Sequence, residues 1–147
     1  MGSDSTLIEF FIQSHRDCDE RWVAVERAIE GGESAAVRAS WEAFSGIQRH
    51  HLEMEEQLMF PAFEAATGMT AGPTAVMRME HSQMRGLLDQ MERAIPDGDF
   101  QTVLDLGDTL LMLVQQHNQK EEGMLYPMAN DVLAADWDTL KEKLEKL

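Results

Sequence analysis

The sequence predicts an all-α protein, specifically an up-down-up-down antiparallel four-helix bundle with a short C-terminal helix. Turn residues at Gly31-Gly32, 67–73 and 95–99 divide the chain into four long segments. Within each segment, apolar residues recur at three- and four-residue steps and β-branched residues are sparse, which indicates helices rather than strands. Four amphipathic helices joined by short turns favour an antiparallel bundle.

Each segment has its own apolar stripe of helical spacing. Segment one carries Ile8, Phe11, Ile12, His15, Cys18, Trp22, Val25 and Ile29. Segment two carries Trp41, Phe44, Ile47, His51, Met54, Leu58 and Ala62. Segment three carries Met77, His81, Met84, Leu88, Met91 and Ile95. Segment four carries Val103, Leu106, Leu110, Leu113, His117, Glu121, Met124 and Met128. The tail, about 136–147, contains WDTLKEKLEKL and is predicted to form a short amphipathic helix that caps one end of the bundle or frays.

Length and composition indicate one globular domain spanning 1–147. A chain of 147 residues with 44% hydrophobic residues can bury a sizeable core. The net charge of −15 argues against a nucleic-acid partner, because such binding requires Lys and Arg side chains that neutralise phosphates. A highly soluble acidic surface accounts for most of that charge.

Cysteine usage and hydropathy bear on the location of the protein. The single cysteine, Cys18, excludes an intrachain disulfide and fits a reducing cytosol. No apolar run approaches the ~20 residues that span a bilayer, and no basic-then-apolar leader opens the chain. The expectation is a soluble cytoplasmic protein without a membrane partner, whose oligomeric state the sequence leaves open.

One histidine lies on the apolar stripe of each predicted helix, where an imidazole without partners costs about 1–3 kcal/mol. These histidines are His15, His51, His81 and His117. His15 is about nine residues into helix one, and His81 is eight residues after Pro73. His51 and His117 each precede by ten residues a proline that is expected to bend or end its helix. In an up-down-up-down bundle, all four imidazoles then fall roughly 12–15 Å from the same end, at one level.

A repeated motif, H-x3-E-E-x3-(F/Y)-P, supplies carboxylates at the same level. The first copy contains His51, Glu55, Glu56, Phe60 and Pro61, and the second contains His117, Glu121, Glu122, Tyr126 and Pro127. Because four residues make about one helical turn, Glu55 and Glu121 project from the same face as the histidines before them. Four imidazoles and two carboxylates would hold two divalent or trivalent metal ions, with each carboxylate able to bridge them. This mixed nitrogen and oxygen ligand set suits iron, manganese or zinc.

Over about 5–130, the chain resembles the hemerythrin-like family of HHE cation-binding domains. That family shows a His on helix one, H-x3-E on helix two, a His on helix three and H-x3-E on helix four. The matching residues are His15, His51, Glu55, His81, His117 and Glu121. The resemblance implies two iron ions, with or without an oxo bridge, held by these six side chains, although manganese or zinc would also be accepted.

One position departs from part of that family. The oxygen-carrying hemerythrins have H-x3-H on helix three, whereas here His81 is followed by Arg85. One iron then lacks a nitrogen ligand and can keep an open position or a solvent ligand, which argues against reversible oxygen carriage. The arrangement is closer to bacterial HHE domains and to the bundle domain of di-iron proteins implicated in the repair of iron–sulfur clusters.

These features leave several functions open. The first is a non-haem di-iron protein that binds dioxygen, nitric oxide or peroxide for sensing, storage or detoxification. The alternatives are a di-iron enzyme that decomposes peroxide or nitric oxide, and an iron donor in iron–sulfur cluster repair. A further alternative is a helical interaction module without metal. Whether the protein is an enzyme is not decided by the sequence.

Three polar residues next to the predicted ligands are expected to have simpler roles. His50 meets no carboxylate four residues later, so an exposed position or a role as the outer partner of a ligand is expected. Glu56 and Glu122 lie about 100° round the helix from the ligands. They are expected to be solvated or paired with surface Lys and Arg side chains.

Four further residues near the site are assigned in the same way. Glu80 is either a proton carrier beside the metals or an ordinary surface residue. Asp19 is expected to be solvated or to be the outer partner of a ligand. Tyr126, five residues after Glu121, is expected to pack at the end of the bundle, as Phe60 would in the other repeat. The alternative is that Tyr126 hydrogen-bonds near the site or serves in radical chemistry. Cys18 is expected to be a small core residue.

Overall fold

The structure, a computed structural model, describes residues 5–147 and is all-helical over them, which confirms the predicted class. The helices are α1 (Leu7–Gly31), α2 (Ser34–Met54), α3 (Phe60–Thr67), α4 (Pro73–Ala94), α5 (Phe100–Lys120), α6 (Tyr126–Leu133) and α7 (Trp137–Lys146). Two π-helical turns, Glu55–Met59 and Glu121–Leu125, join α2 to α3 and α5 to α6. A 3₁₀ turn, Ala134–Asp136, joins α6 to α7. The described residues therefore form four long helical stretches followed by α7.

The ends of the helices follow from local sequence. Thr6 and Glu9 form a capping box at the start of α1: Thr6 Oγ1 accepts from the Glu9 N–H at 3.2 Å, and the Glu9 carboxylate accepts from the Thr6 N–H at 3.0 Å. Gly32 ends α1 in the left-handed conformation, with a φ of 77° that favours glycine. Asp99 caps α5 by accepting from the Thr102 N–H at 3.3 Å. The end of α1 at Gly32 and the start of α5 at Asp99 coincide with turn residues seen in the sequence.

Two clusters of buried side chains hold the helices together. α1 packs against α2, and α4 packs against α5. One cluster gathers around Phe11, Phe60 and Leu125, and the other around Trp22 and Leu88. Full burial of such a side chain contributes about 1.5–3 kcal/mol to the free energy of unfolding. The four histidines of the apolar stripes lie between the two clusters in sequence and in space.

The two π turns replace the bends or helix ends expected at Pro61 and Pro127. The helix continues through both prolines, which stand in the first turn of α3 and of α6. A proline inside an α-helix leaves a carbonyl four residues earlier without its donor and clashes with it. The helix avoids this clash by widening into a π turn just before the proline. There the Phe60 N–H donates to the carbonyl of Glu55, five residues back. The equivalent hydrogen bond from Tyr126 to Glu121 forms the second π turn.

The C-terminal helix α7 packs on the cluster at the π-turn end. Trp137, Leu140 and Leu144 are buried there, and the Trp137 indole N–H donates to the carbonyl of Ser5 at 2.7 Å. The tail therefore covers one end of the bundle rather than fraying. Across residues 5–147, every helix is too short or too polar to cross a lipid bilayer.

Candidate metal centre

The structure brings the six predicted ligand residues together in the interior. Each of them is at most 4% exposed. They form two overlapping groups of four, His15, His51, Glu55 and Glu121, and Glu55, His81, His117 and Glu121. Within each group, one ligand atom per residue lies within 4.8 Å of every other. We call the group with His15 and His51 the α1–α2 position, and the group with His81 and His117 the α4–α5 position.

Each carboxylate lies between one imidazole of each position. Glu121 Oε1 is 3.0 Å from Nε2 of His15 and 3.2 Å from Nε2 of His117. Glu55 Oε1 is 3.5 Å from Nε2 of His51 and 3.0 Å from Nε2 of His81. Both carboxylates are therefore shared by the two positions.

Buried atoms without hydrogen bonds provide the test of whether metal ions fit here. Nε2 of His51, His81 and His117 make none, and neither do Oε1 of Glu55 and Oε2 of Glu121. Close approach is not enough: His81 Nε2 lies 3.0 Å from Glu55 Oε1 without hydrogen-bonding geometry. Each such atom costs about 1–3 kcal/mol if nothing satisfies it. Cations at the two positions would satisfy all of them, so the donor set fits two metal ions.

In each of the four candidate ligand histidines, the ring nitrogen that faces away from the centre has a hydrogen-bond partner. His15 Nδ1 is 2.7 Å from Glu122, His81 Nδ1 is 2.8 Å from Glu56, His117 Nδ1 is 2.8 Å from Glu80, and His51 Nδ1 is 2.7 Å from the Ser14 hydroxyl. A carboxylate at Nδ1 holds the ring hydrogen there. The Nε2 lone pair then faces the centre, as a metal ligand requires.

Glu56 and Glu122 have a second role that the sequence reasoning missed. Glu56 does pair with a surface cation, since Arg85 Nη2 donates to its Oε1 at 2.7 Å. Its other oxygen accepts from His81, and Glu122 accepts from His15, so both also orient a predicted ligand. The 100° offset brings each carboxylate to a histidine on a neighbouring helix while part of the side chain stays exposed. The sequence feature that could have indicated this role is the second glutamate of the Glu-Glu pair, which is present in both copies of the motif.

Glu80 is a partly buried partner of His117 rather than an ordinary surface residue. It accepts from His117 Nδ1 and also forms an ion pair with Lys120. Burial alone would raise the Glu80 pKa, but the hydrogen bonds from Lys120 and His117 outweigh burial and lower that pKa. Glu80 therefore remains ionised and holds the imidazole hydrogen of His117 in place.

Tyr126 lies at the centre, which favours the alternative that it hydrogen-bonds near the site over packing at the bundle end alone. Its hydroxyl is 2.6 Å from Glu55 Oε2, 2.9 Å from Glu121 Oε1 and 3.0 Å from His15 Nε2. The π turn is the reason, because its extra residue turns position 126 back over Glu121. Burial, followed by the two carboxylates, raises the Tyr126 pKa well above its ordinary value, so the hydroxyl keeps its hydrogen.

His50, Asp19 and Cys18 lie outside both groups of candidate ligands. His50 is half-buried and lines a surface groove with Ile47 and Met54. Asp19 is exposed. Cys18 is a buried core residue, as expected, and burial raises the pKa of its thiol to about 12, so it stays protonated.

The carboxylates around the centre raise the pKa of three of its histidines, His15, His81 and His117. Burial alone would lower the pKa of His81, but the carboxylate of Glu55 close to Nε2 and the hydrogen bond to Glu56 outweigh burial and raise that pKa to about 9. The pKa values of His15 and His117 are also raised, against burial, by Glu121 in particular.

Comparison with known proteins gives one match. The model of the family described as Hemerythrin HHE cation binding domain matches residues 6–129. The matched segment contains all six candidate ligands, both π turns and Tyr126. Searches of the curated proteins and of the solved structures gave no match.

Proposed function

The chain belongs to the hemerythrin HHE cation-binding domain family, and we propose that it is a non-haem di-iron protein that binds a small oxygen or nitrogen species. Its ligand is dioxygen, nitric oxide or peroxide, and its role is sensing, storage or detoxification. The six proposed metal ligands are His15, His51, Glu55, His81, His117 and Glu121. One observation carries this proposal: two groups of buried ligand atoms share the carboxylates of Glu55 and Glu121.

The donor set supports iron and an open coordination position. Each position offers two imidazoles and the two shared carboxylates, which are fewer donors than iron accepts in an octahedral site. Arg85 stands where oxygen-carrying relatives have a further histidine, and its guanidinium is engaged by Glu56. A small molecule can therefore complete the coordination. Manganese or zinc would bind the same donors, and metal analysis decides between them.

The protein's own residues prepare the centre for such a ligand. Bound iron supplies Lewis acidity and electrons to the small molecule. Glu56, Glu80 and Glu122 keep the imidazoles oriented through their Nδ1 atoms. Tyr126 holds a hydroxyl hydrogen at the inner carboxylates. The two buried clusters on either side keep bulk water away from the centre.

A second candidate function is turnover of peroxide or nitric oxide. Tyr126 favours it, because a buried hydroxyl at the carboxylates provides a hydrogen-bond donor close to where a small ligand would bind. Product formed beyond one equivalent per centre would establish an enzyme. A single spectral change per centre, without further product, would establish a binding protein. Iron donation to damaged clusters would instead require transfer of the metal to an acceptor.

The sequence-based expectations on topology and location remain part of this proposal. The two-residue connection between α1 and α2, which pack against each other, supports the up-down-up-down order. The match over residues 6–129 supports a single domain. The free, buried Cys18 supports a reducing cytoplasmic compartment.

The deciding experiment is metal analysis of the tag-free protein together with its ultraviolet–visible spectrum, with and without azide. We expect about two irons per chain and charge-transfer bands that azide alters, because each position offers four donors and leaves coordination places that a small anion can fill. His51→Ala should lose metal and its bands. The neighbouring His50→Ala is the matched control and should retain both, since His50 lies outside the candidate ligands.

Two results would contradict the proposal. One is a chain that takes up no iron when iron is supplied anaerobically. The other is equal metal content in the His51→Ala and His50→Ala variants. The first would favour the metal-free interaction module, for which replacing buried histidines leaves stability unchanged or raised. The second would exclude His51 from the metal ligands.

A further inference from the structure

The contacts around the centre follow an approximate two-fold pattern. Glu55 and Glu56, consecutive in the first motif, both approach His81 on α4. Glu121 and Glu122, consecutive in the second motif, both approach His15 on α1 in the same way. The histidine of each motif is held instead by the residue just before the lone histidine: Ser14 holds His51 and Glu80 holds His117. The two positions can therefore be compared residue by residue.

Three outer residues break this pattern. Before the lone histidine, Glu80 corresponds to Ser14; four residues after it, Arg85 corresponds to Asp19; and three residues after the motif histidine, Lys120 corresponds to Met54. All three differences change charge. Among these three residues, the α4–α5 position has one carboxylate and two cations, whereas the α1–α2 position has a hydroxyl, a carboxylate and a thioether.

At the α4–α5 position, the carboxylate that holds each imidazole is itself paired with a cation. Glu56 orients His81 and is held by Arg85, and its side chain is 25% exposed. Glu80 orients His117 and is held by Lys120, and its side chain is 10% exposed. Opening this position requires breaking a carboxylate–cation pair as well as moving an imidazole. Such charge-assisted contacts fix a ligand more firmly than a neutral hydrogen bond.

The α1–α2 position is open on the side of His15. Its outer partner Glu122 is 39% exposed. Glu122, His15 and Asp19 line a surface cleft of about 530 Å³, together with Arg16. Asp19 occupies the place of Arg85, so a like charge, rather than a cation, stands near Glu122. His51 is held only by the hydroxyl of Ser14.

We propose that the two metal positions are functionally inequivalent: metal at the α1–α2 position exchanges with the solution through the cleft at Glu122, while metal at the α4–α5 position is retained. This inference rests on the proposed di-iron function. Glu122 can swing into the cleft because, within residues 5–147, no Lys or Arg side chain forms an ion pair with it. Its movement frees His15 to turn away from the centre. Asp19 and Glu122 attract an incoming cation to the same opening. The retained metal keeps Glu55 and Glu121 in place meanwhile.

Release of iron to a chelator tests this inference. The whole chain is loaded anaerobically with Fe(II), its content of about two irons per chain is verified by metal analysis, and ferrozine is added in excess. We expect two release phases of equal amplitude whose rates differ by at least about tenfold, the size of effect that outer partners of metal ligands have. The measurement needs no knowledge of the bound small molecule or of any turnover.

Variants that exchange the charges of the corresponding outer residues assign each release phase to one of the two metal positions. Asp19→Arg places a guanidinium beside Glu122 and should slow only the fast phase. Arg85→Asp removes the cation from Glu56 and should accelerate only the slow phase, and Lys120→Met, which acts through Glu80, should do the same. Asp108→Arg is the control of equal charge change at an exposed site on α5 and should alter neither phase. Circular dichroism confirms that each variant is folded.

The outcomes separate this inference from the proposed function. No iron uptake at all would overturn the di-iron function and the inference with it. Uptake of two irons followed by release in a single phase would overturn the inference alone. So would an Asp19→Arg variant whose fast phase is unchanged, or changed only as much as that of Asp108→Arg.

Discussion

The Tyr126 hydroxyl donates to Glu55 Oε2 at 2.6 Å, which links the second repeat of the motif to the first. The two residues are 71 positions apart in the chain, and both are fully buried. Tyr126 follows the second π turn, and Glu55 begins the first. Their hydrogen bond therefore sets the orientation of a proposed bridging carboxylate across the interior of the bundle.

Tyr126→Phe should destabilise the metal-free protein. The substitution keeps the ring but leaves Glu55 Oε2 buried without its donor, which costs about 1–3 kcal/mol in the free energy of unfolding. Urea denaturation of metal-free protein measures the change. A double-mutant cycle with Glu55→Gln should show coupling between the two sites. Additive effects of the two substitutions would mean that the hydrogen bond is not what stabilises the centre.

The stability of the metal-free protein should fall as the pH rises through the alkaline range. The pKa of His81 is about 9 in the folded chain against 6.5 as its ordinary value. A raised pKa means that the folded state binds the proton more tightly, so this contribution is complete below pH 6.5 and is lost as the pH rises through about 9. The raised pKa values of His15 and His117 act in the same direction.

Chemical denaturation of the metal-free protein across this pH range provides the measurement. His81→Gln is the matched variant, because it removes the titrating group while keeping a polar side chain of similar length. The decline in the free energy of unfolding should be smaller in that variant. An identical decline in both proteins would show that His81 does not carry the pH dependence.

Gly107→Ala should destabilise the bundle through overpacking. A Cβ atom at Gly107 would lie 2.3 Å from Trp22 Cζ2, so the indole must move within a close-packed core. Overpacking of this kind costs about 1–3 kcal/mol in the free energy of unfolding. Thermal or urea denaturation measures it.

Gly46→Ala is the control for the same substitution inside a long helix. No atom lies within 4 Å of a Cβ at that position, so the higher helix propensity of alanine should stabilise the protein by up to about 1 kcal/mol. Equal effects at Gly46 and Gly107 would argue against close contact between α5 and Trp22.

Local sequence was enough to predict the helices and the convergence of the candidate ligands. Helical spacing and turn residues depend on neighbours within a few positions, so the turns at Gly32 and Asp99 were placed correctly. The spacing H-x3-E places a histidine and a glutamate one turn apart on one face whatever surrounds them. Pairs such as His51 and Glu55 could therefore be assigned to the interior before the fold was known.

The tertiary structure decided the environment of those residues. Whether Glu56 and Glu122 meet solvent or an imidazole depends on which helix lies beside them, and helix spacing says nothing about that. The place of Tyr126 depends on a π turn, which changes the phase of the helix and is not visible in a periodicity of 3.6 residues.

The difference between the two proposed metal positions depends on the sequence and on the tertiary structure together. The chain encodes it in the residues at 14 and 80, 19 and 85, and 54 and 120, which are far apart and belong to no common motif. Only packing makes them equivalent partners around one centre, because a contact between helices depends on their relative placement. Sequence thus determined the helices and the donor atoms, and the tertiary structure determined which charges surround each donor.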